Sequence, residues 1–193
     1  KNSTIYFNIG NCYIKTGNRG QAIVNYLRAK ALSPRDSEIN SNLNYALKKT
    51  IDKQYLDTEN NIFLKVFFWY NFLNLEESII LFLLFWSLLW IAIISKKLLN
   101  NEAIKVAILS FSFLTVILGA TLSIKIYEYN NPKAVVIAKE SEVKTENNTT
   151  SLTLFKVNNG SILKINDKMD NWIKVELSNE KRGWIQKSSI EEI

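Results

Sequence analysis

The sequence predicts a multidomain membrane protein in three parts: an all-α N-terminal segment, a two-helix transmembrane hairpin and a small all-β barrel. Three observations lead there. Residues 78–95 and 106–124 are apolar blocks of 18 and 19 residues without one ionisable side chain. Ahead of them apolar residues recur at helical spacing, and after them the pattern turns to alternation bounded by Asn, Asp and Gly.

The N-terminal part covers residues 1–53. Helical runs are predicted over Thr4–Thr16 and Arg19–Leu32, separated by Gly17-Asn18 and ended by Ser33-Pro34. A further helix is expected over Asp36–Lys53, with Ile39, Leu43, Ala46, Leu47 and Ile51 on its buried face. Large and small residues recur at Tyr6, Ile9, Gly10, Tyr13, Ala22, Tyr26, Ala29 and Pro34. This series resembles the tetratricopeptide repeat, a 34-residue helix-turn-helix unit in which small residues let two helices close on each other and aromatics fill the gaps. The third helix then resembles the first of a second repeat, or a capping helix. One and a half repeats are too few for a stable stack, because each unit buries its apolar face against neighbours. Either earlier repeats precede this segment, or it leans on a partner or on the membrane. The resemblance implies a peptide groove lined by Phe7, Asn11, Lys15 and Asn42, with the two Asn placed to hold a bound backbone. Phe7 stands where carboxylate-gripping members of the family carry Lys.

Residues 54–75 are expected to form a linker and an interfacial helix. The stretch Ile62–Leu75 is apolar and aromatic with Lys65 as its single charge, as suits a helix lying among headgroups. Residues 76–126 form the hairpin, with spans of about 76–95 and 104–126. At 1.5 Å per residue each block nearly crosses a hydrocarbon core of about 30 Å. Neither shows the polar face that a soluble helix needs. Asn74 and Glu77 are spaced as a capping box. Lys96, Lys97 and Lys105 load the 96–105 loop with cations, so the positive-inside rule puts that loop in the cytoplasm and both termini outside. The chain opens on Lys1 without a charged-then-apolar leader, and export of the N-terminal flank calls for a signal peptide ahead of it.

The barrel is expected over 133–193. Candidate strands are Ala134–Ala138, Glu142–Thr145, Thr153–Val157, Ser161–Ile165, Trp172–Leu177 and Gly183–Gln186, with a turn over Asp167–Asn171. Val143, Phe155, Gly160, Leu163, Ile165, the run Asp170–Val175, and Gly183-Trp184-Ile185 followed by Ser188-Ser189 resemble the bacterial SH3-like domain. That family's Arg-x-Gly-Pro after the early Val is replaced by Lys144–Asn147. Trp172 and Trp184 are candidate ligand contacts, with core or rim packing as the alternative.

Chemistry is bounded by composition. The chain has no His and one Cys, Cys12, which leaves no imidazole base, no disulfide within the chain and no paired-Cys metal site. Asp167 and Asp170 read as turn formers rather than an acid/base pair. No cofactor, no metal and no nucleic-acid partner is expected, and the net charge of +6 is scattered. The order of the three parts resembles the BatE-like aerotolerance proteins of Bacteroidetes-type bacteria. That resemblance implies a non-enzymatic adaptor of the bacterial inner membrane, working at the periplasmic face beside von Willebrand-type membrane proteins and a MoxR-type ATPase. The alternative is an envelope sensor whose barrel binds peptidoglycan.

Overall fold

The computed structural model describes residues 2–52, 68–99, 101–177 and 181–193. The chain divides into two compact units, one built from both flanks (within 1–66 and 131–193) and one from 67–130.

In the first unit, α1 spans Ser3–Lys15 and starts at Asn2, whose side chain accepts a bond from the Thr4 amide at 2.9 Å. Helix α2 runs over Arg19–Leu32 and α3 over Ser37–Lys48, the latter capped by Asp36, which accepts from the amides of Glu38 and Ile39. The small-against-large packing expected of α1 and α2 is present. Gly10 is buried against the Tyr26 ring, so close that a Cβ at position 10 would lie 2.6 Å from it. The third helix is shorter than predicted. It ends at Lys48, and Ile51, expected on its buried face, is 73% exposed. Thr50 ends the helix instead, turning its hydroxyl back to the Leu47 carbonyl at 2.7 Å.

The C-terminal flank contains seven strands among the described residues: β1 Lys133–Val136, β2 Glu140–Lys144, β3 Thr153–Asn158, β4 Ile162–Met169, β5 Trp172–Glu176, β6 Arg182–Gln186 and β7 Ile190–Glu192. They form one antiparallel sheet in the order β3-β2-β6-β5-β4-β1-β7. Ala134, Val136, Val143, Val157, Leu163, Ile173, Val175, Ile185 and Ile190 meet in a single cluster. Edge and central strands thus face the same core, so the sheet is curled around it. Two features depart from the sequence expectation. The turn predicted over Asp167–Asn171 shrinks to Asp170-Asn171, because β4 runs on through a bulge at Asn166 and pairs Met169 with Trp172. Asp170 takes φ +51, the left-handed conformation that Asp tolerates better than most residues. The seventh strand, only three residues long, carried no alternation to announce it.

The two flanks are joined through α2. Val135 of β1 belongs to the cluster formed by Ala22, Ile23, Val24, Tyr26, Leu43, Ala46 and Leu47, with Ile137, Ile162 and Ile193 packed at its border. Strand β1 therefore has two buried faces, Ala134 and Val136 toward the barrel core and Val135 toward the helices.

In the second unit α4 is a short helix, Phe68–Phe72. Of the linker and interfacial helix expected over 54–75, residues 54–67 lie outside the described residues. Helix α5 spans Leu75–Leu98 and α6 Glu102–Asn130, each longer than predicted at both ends. The capping box is formed: Asn74 Oδ1 accepts from the Glu77 amide at 2.8 Å, and Glu77 accepts from the Asn74 amide at 2.9 Å. Among the described residues these two helices are long and apolar enough to cross a membrane. Small residues lie at their seam: Ala92, Thr115 and Thr121 are buried, and Gly119 faces the Phe82 ring. Lys125 ties α4 to the pair by donating to the carbonyls of Tyr70 (2.7 Å) and Leu73 (2.6 Å), acceptors that the end of a helix leaves open. Trp69 donates to Thr121 at 3.5 Å, and the Tyr70 hydroxyl donates to Glu128.

Candidate functional site

Helices α1 and α3 bring Asn11 and Asn42 together. The Oδ1 of Asn11 accepts from Asn42 Nδ2 at 3.0 Å and from the Tyr26 hydroxyl at 2.7 Å. Tyr26 rises from α2 between the two helices, 1% exposed, and burial pushes its phenol above the ordinary range while the Asn42 amide draws it back. The phenol therefore remains a donor at physiological pH and sets the orientation of the Asn11 amide, oxygen toward Tyr26. With that oxygen engaged, the Asn11 Nδ2 and the Asn42 Oδ1 are the remaining hydrogen-bonding groups of the pair. Phe7 lies one turn before Asn11 and packs on Tyr26, ring centroids 6.0 Å apart. It packs at the border of the helical core. Lys15, one turn beyond Asn11, is exposed. The four N-terminal candidates thus share one face of α1 and α3, and two of them touch.

The barrel candidates occupy neighbouring strands. Trp172 lies across from Gln186, and Trp184 across from Lys174, so both indoles belong to the sheet face opposite Ile173, Val175 and Ile185. They differ in exposure. Trp172 is 8% exposed and serves packing, whereas Trp184 is half-buried beneath Lys174, whose ammonium lies 5.9 Å from the indole centroid. Met169 extends this face next to Trp172 and accepts a weak bond from Asn147 at 3.0 Å. Among the described residues no group of three His, Cys, Asp or Glu side chains is placed to hold a metal ion.

A third set of residues was not found by sequence reasoning: those that fasten α2 and the end of α3 to the barrel. The Gly20 amide donates to Asn159 Oδ1 at 2.7 Å, while Asn159 Nδ2 donates to the Ile137 carbonyl at 2.7 Å. Helix and strand approach so closely that a Cβ on Gly20 would lie 2.3 Å from the Val136 carbonyl oxygen. Arg28 makes a 2.7 Å ion pair with Glu191 and donates to the Glu192 carbonyl at 2.8 Å, and Gln21 donates to the other Glu191 oxygen at 2.7 Å. Asp52 accepts from the Asn158 amide at 3.0 Å and from the Ser161 hydroxyl. One signal was available. Ala134-Val135-Val136-Ile137-Ala138 is apolar at every position, which marks a strand covered on both faces rather than one with a face in water.

No family model matches the chain, and no curated protein matches it. Among solved structures, the C-terminal SH3 domain of myosin IB from Entamoeba histolytica is 28% identical over a match covering 33% of this chain and 93% of that one, with a TM-score of 0.23. The same domain bound to EhFP10(GEF) peptide gives the same figures. The fold of the C-terminal flank rests on its own strand order, register and single core.

Proposed function

We propose that the protein is a membrane-anchored, non-enzymatic adaptor that holds an extended segment of a partner protein in the groove between α1 and α3. The observation that carries this reading is the meeting of Asn11 and Asn42, drawn from two different helices and set in orientation by a buried Tyr26. An amide pair with one oxygen engaged presents donors and an acceptor suited to a peptide backbone, which carries both in alternation. In this reading α1 to α3 are a tetratricopeptide-type pair and a half, the C-terminal barrel is SH3-like, and α5 and α6 cross the bilayer. The exposed apolar surface of those two helices supports the last point, since a soluble protein would cover it: Ile80, Leu83, Val106, Leu109, Phe113 and Val116 are each more than half exposed. The positive 96–105 stretch favours a cytoplasmic turn and periplasmic flanks. The resemblance to BatE-like proteins supplies the partner class, von Willebrand-type membrane proteins served by a MoxR-type ATPase.

The test uses a photo-crosslinking amino acid at Lys15 in the full chain, in its native membranes. A discrete adduct to one envelope protein is expected, and Asn42→Ala should remove it while the chain stays folded. No adduct at Lys15, or one that Asn42→Ala leaves unchanged, would overturn the groove reading.

A further inference from the structure

We infer that the barrel is the stacking partner of the helical segment, so that residues 2–52 and 131–177 with 181–193 are one discontinuous domain and the chain between them crosses the membrane twice or not at all. A helix pair and a half leaves apolar surface that a further repeat would ordinarily cover. Here the cover is the outer face of β1, with Val135 fully buried among Ile23, Val24 and Leu47, and with Ile162 and Ile193 beside it. The polar groups at this junction are matched as they are inside a domain. The Gly20 amide, both Asn159 side-chain groups, the Glu191 carboxylate, the Glu192 carbonyl and Asp52 all have partners, and several of those bonds join residues more than 100 positions apart. Strand β7 is an edge of the sheet, and α2 shields it through Arg28, which removes a site for unwanted strand pairing. The backbone contact at Gly20 is closer than a surface encounter between separate modules requires, because it forbids any side chain there.

The compartment follows from the join. Two halves packed around shared residues must lie on the same side of the bilayer, so an arrangement in which only α5 or only α6 crosses is excluded. That part rests on reading α5 and α6 as membrane-spanning. The join itself does not.

Two measurements on the full chain test this. First, with Cys12→Ser as background, Gln21→Cys and Glu191→Cys are introduced, a protease site is placed between α5 and α6, and the protein is treated with a short bismaleimide. The halves should stay covalently linked on a denaturing gel after cleavage, and they should separate in either single-Cys chain. Separation of the double variant would overturn the inference. Second, native Cys12, Leu152→Cys and Leu99→Cys, the latter two in the Cys12→Ser background, are labelled in sealed vesicles with an impermeant maleimide. All three positions are exposed. Cys12 and position 152 should share one side, with position 99 reached only after detergent. Labelling of all three from one side would keep the single domain and refute the membrane spans, whereas Cys12 and position 152 on opposite sides would refute the domain.

Discussion

Strand β1 and helix α5 both carry apolar runs, Ala134–Val136 in the one and residues 79–94, interrupted by Ser87, in the other, yet the structure disposes of them in opposite ways. In Ala134–Val136 every side chain is fully buried, two toward the barrel core and one toward α2. In α5, among 24 residues, Ala92 is the buried one. The difference is one of length against available cover. A strand of four residues can be enclosed by a curled sheet on one face and a helix on the other. The middle of α5, residues 79–94, is apolar all round but for Ser87, lies largely uncovered, and belongs to a helix long enough to cross a membrane. A continuous apolar run therefore does not fix its own cover; its length limits what the rest of the chain can supply.

The sharpest way to break this comparison is to put the same charge into each run. Val135→Asp buries an unpaired carboxylate between two cores and should cost about 4 kcal/mol or more, enough to melt the joined flanks while membrane insertion is retained. Leu84→Asp, near the middle of α5, should instead weaken insertion by about 3 kcal/mol and leave the flanks folded. Carbonate extraction reads the second effect, and amide hydrogen exchange over α2 and β1 the first. If Leu84→Asp melts α2, or Val135→Asp releases the protein from the membrane, the two runs do not have different solvents.

A smaller effect is expected from the polar rim of the same junction. Arg28→Ala removes the ion pair to Glu191 and the bond to the Glu192 carbonyl. Both side chains are about one-third exposed, so solvent screening limits the loss to about 1 kcal/mol. Arg28→Lys should not restore it, because one ammonium cannot reproduce a guanidinium fork that reaches a carboxylate and a carbonyl together. Thermal unfolding in detergent would show whether the pair carries weight; a loss as large as that of Val135→Asp would mean that the rim, not the apolar core, holds the flanks together.

Much of this was legible in the residues. Helical spacing located α1 and α2, the capping box fixed the start of α5, and Asn-rich breaks separated most strands. What failed did so for physical reasons. Ile51 looked buried because Asp36–Lys53 continues a helical period, but Thr50 folds its hydroxyl back and ends the helix after Lys48. The Asp167–Asn171 turn looked longer because polar residues on a bulged, exposed strand resemble a loop. Asn11 and Asn42 were visible as candidates, while Tyr26, which orients them, read only as a packing aromatic. The junction was hardest to find, since Gly20, Arg28, Asn159 and Glu191 are far apart in sequence and none is unusual alone. Only the two-faced apolarity of β1 hinted at it.

The smallest expected effect lies on the barrel's outer rim and marks the opposite limit from Val135. The Glu176 side chain is 18% exposed, and the Asn166 amide, with the Arg182 guanidinium second, holds its carboxyl below the ordinary range. A carboxylate depressed in the folded state contributes stability that is present above its unfolded pKa and is lost as pH falls through its folded pKa. Acidification should therefore weaken the barrel slightly in the window just below the ordinary Glu range, and Glu176→Gln should flatten that part of the curve without altering stability at neutral pH by much. Side-chain carboxyl NMR, titrated from neutral to acid, checks the depressed midpoint directly. A midpoint at or above the ordinary Glu value would show that the Asn166 and Arg182 contacts do not persist in solution. The strand faces buried in the barrel core would then hold this rim without help from its polar side chains.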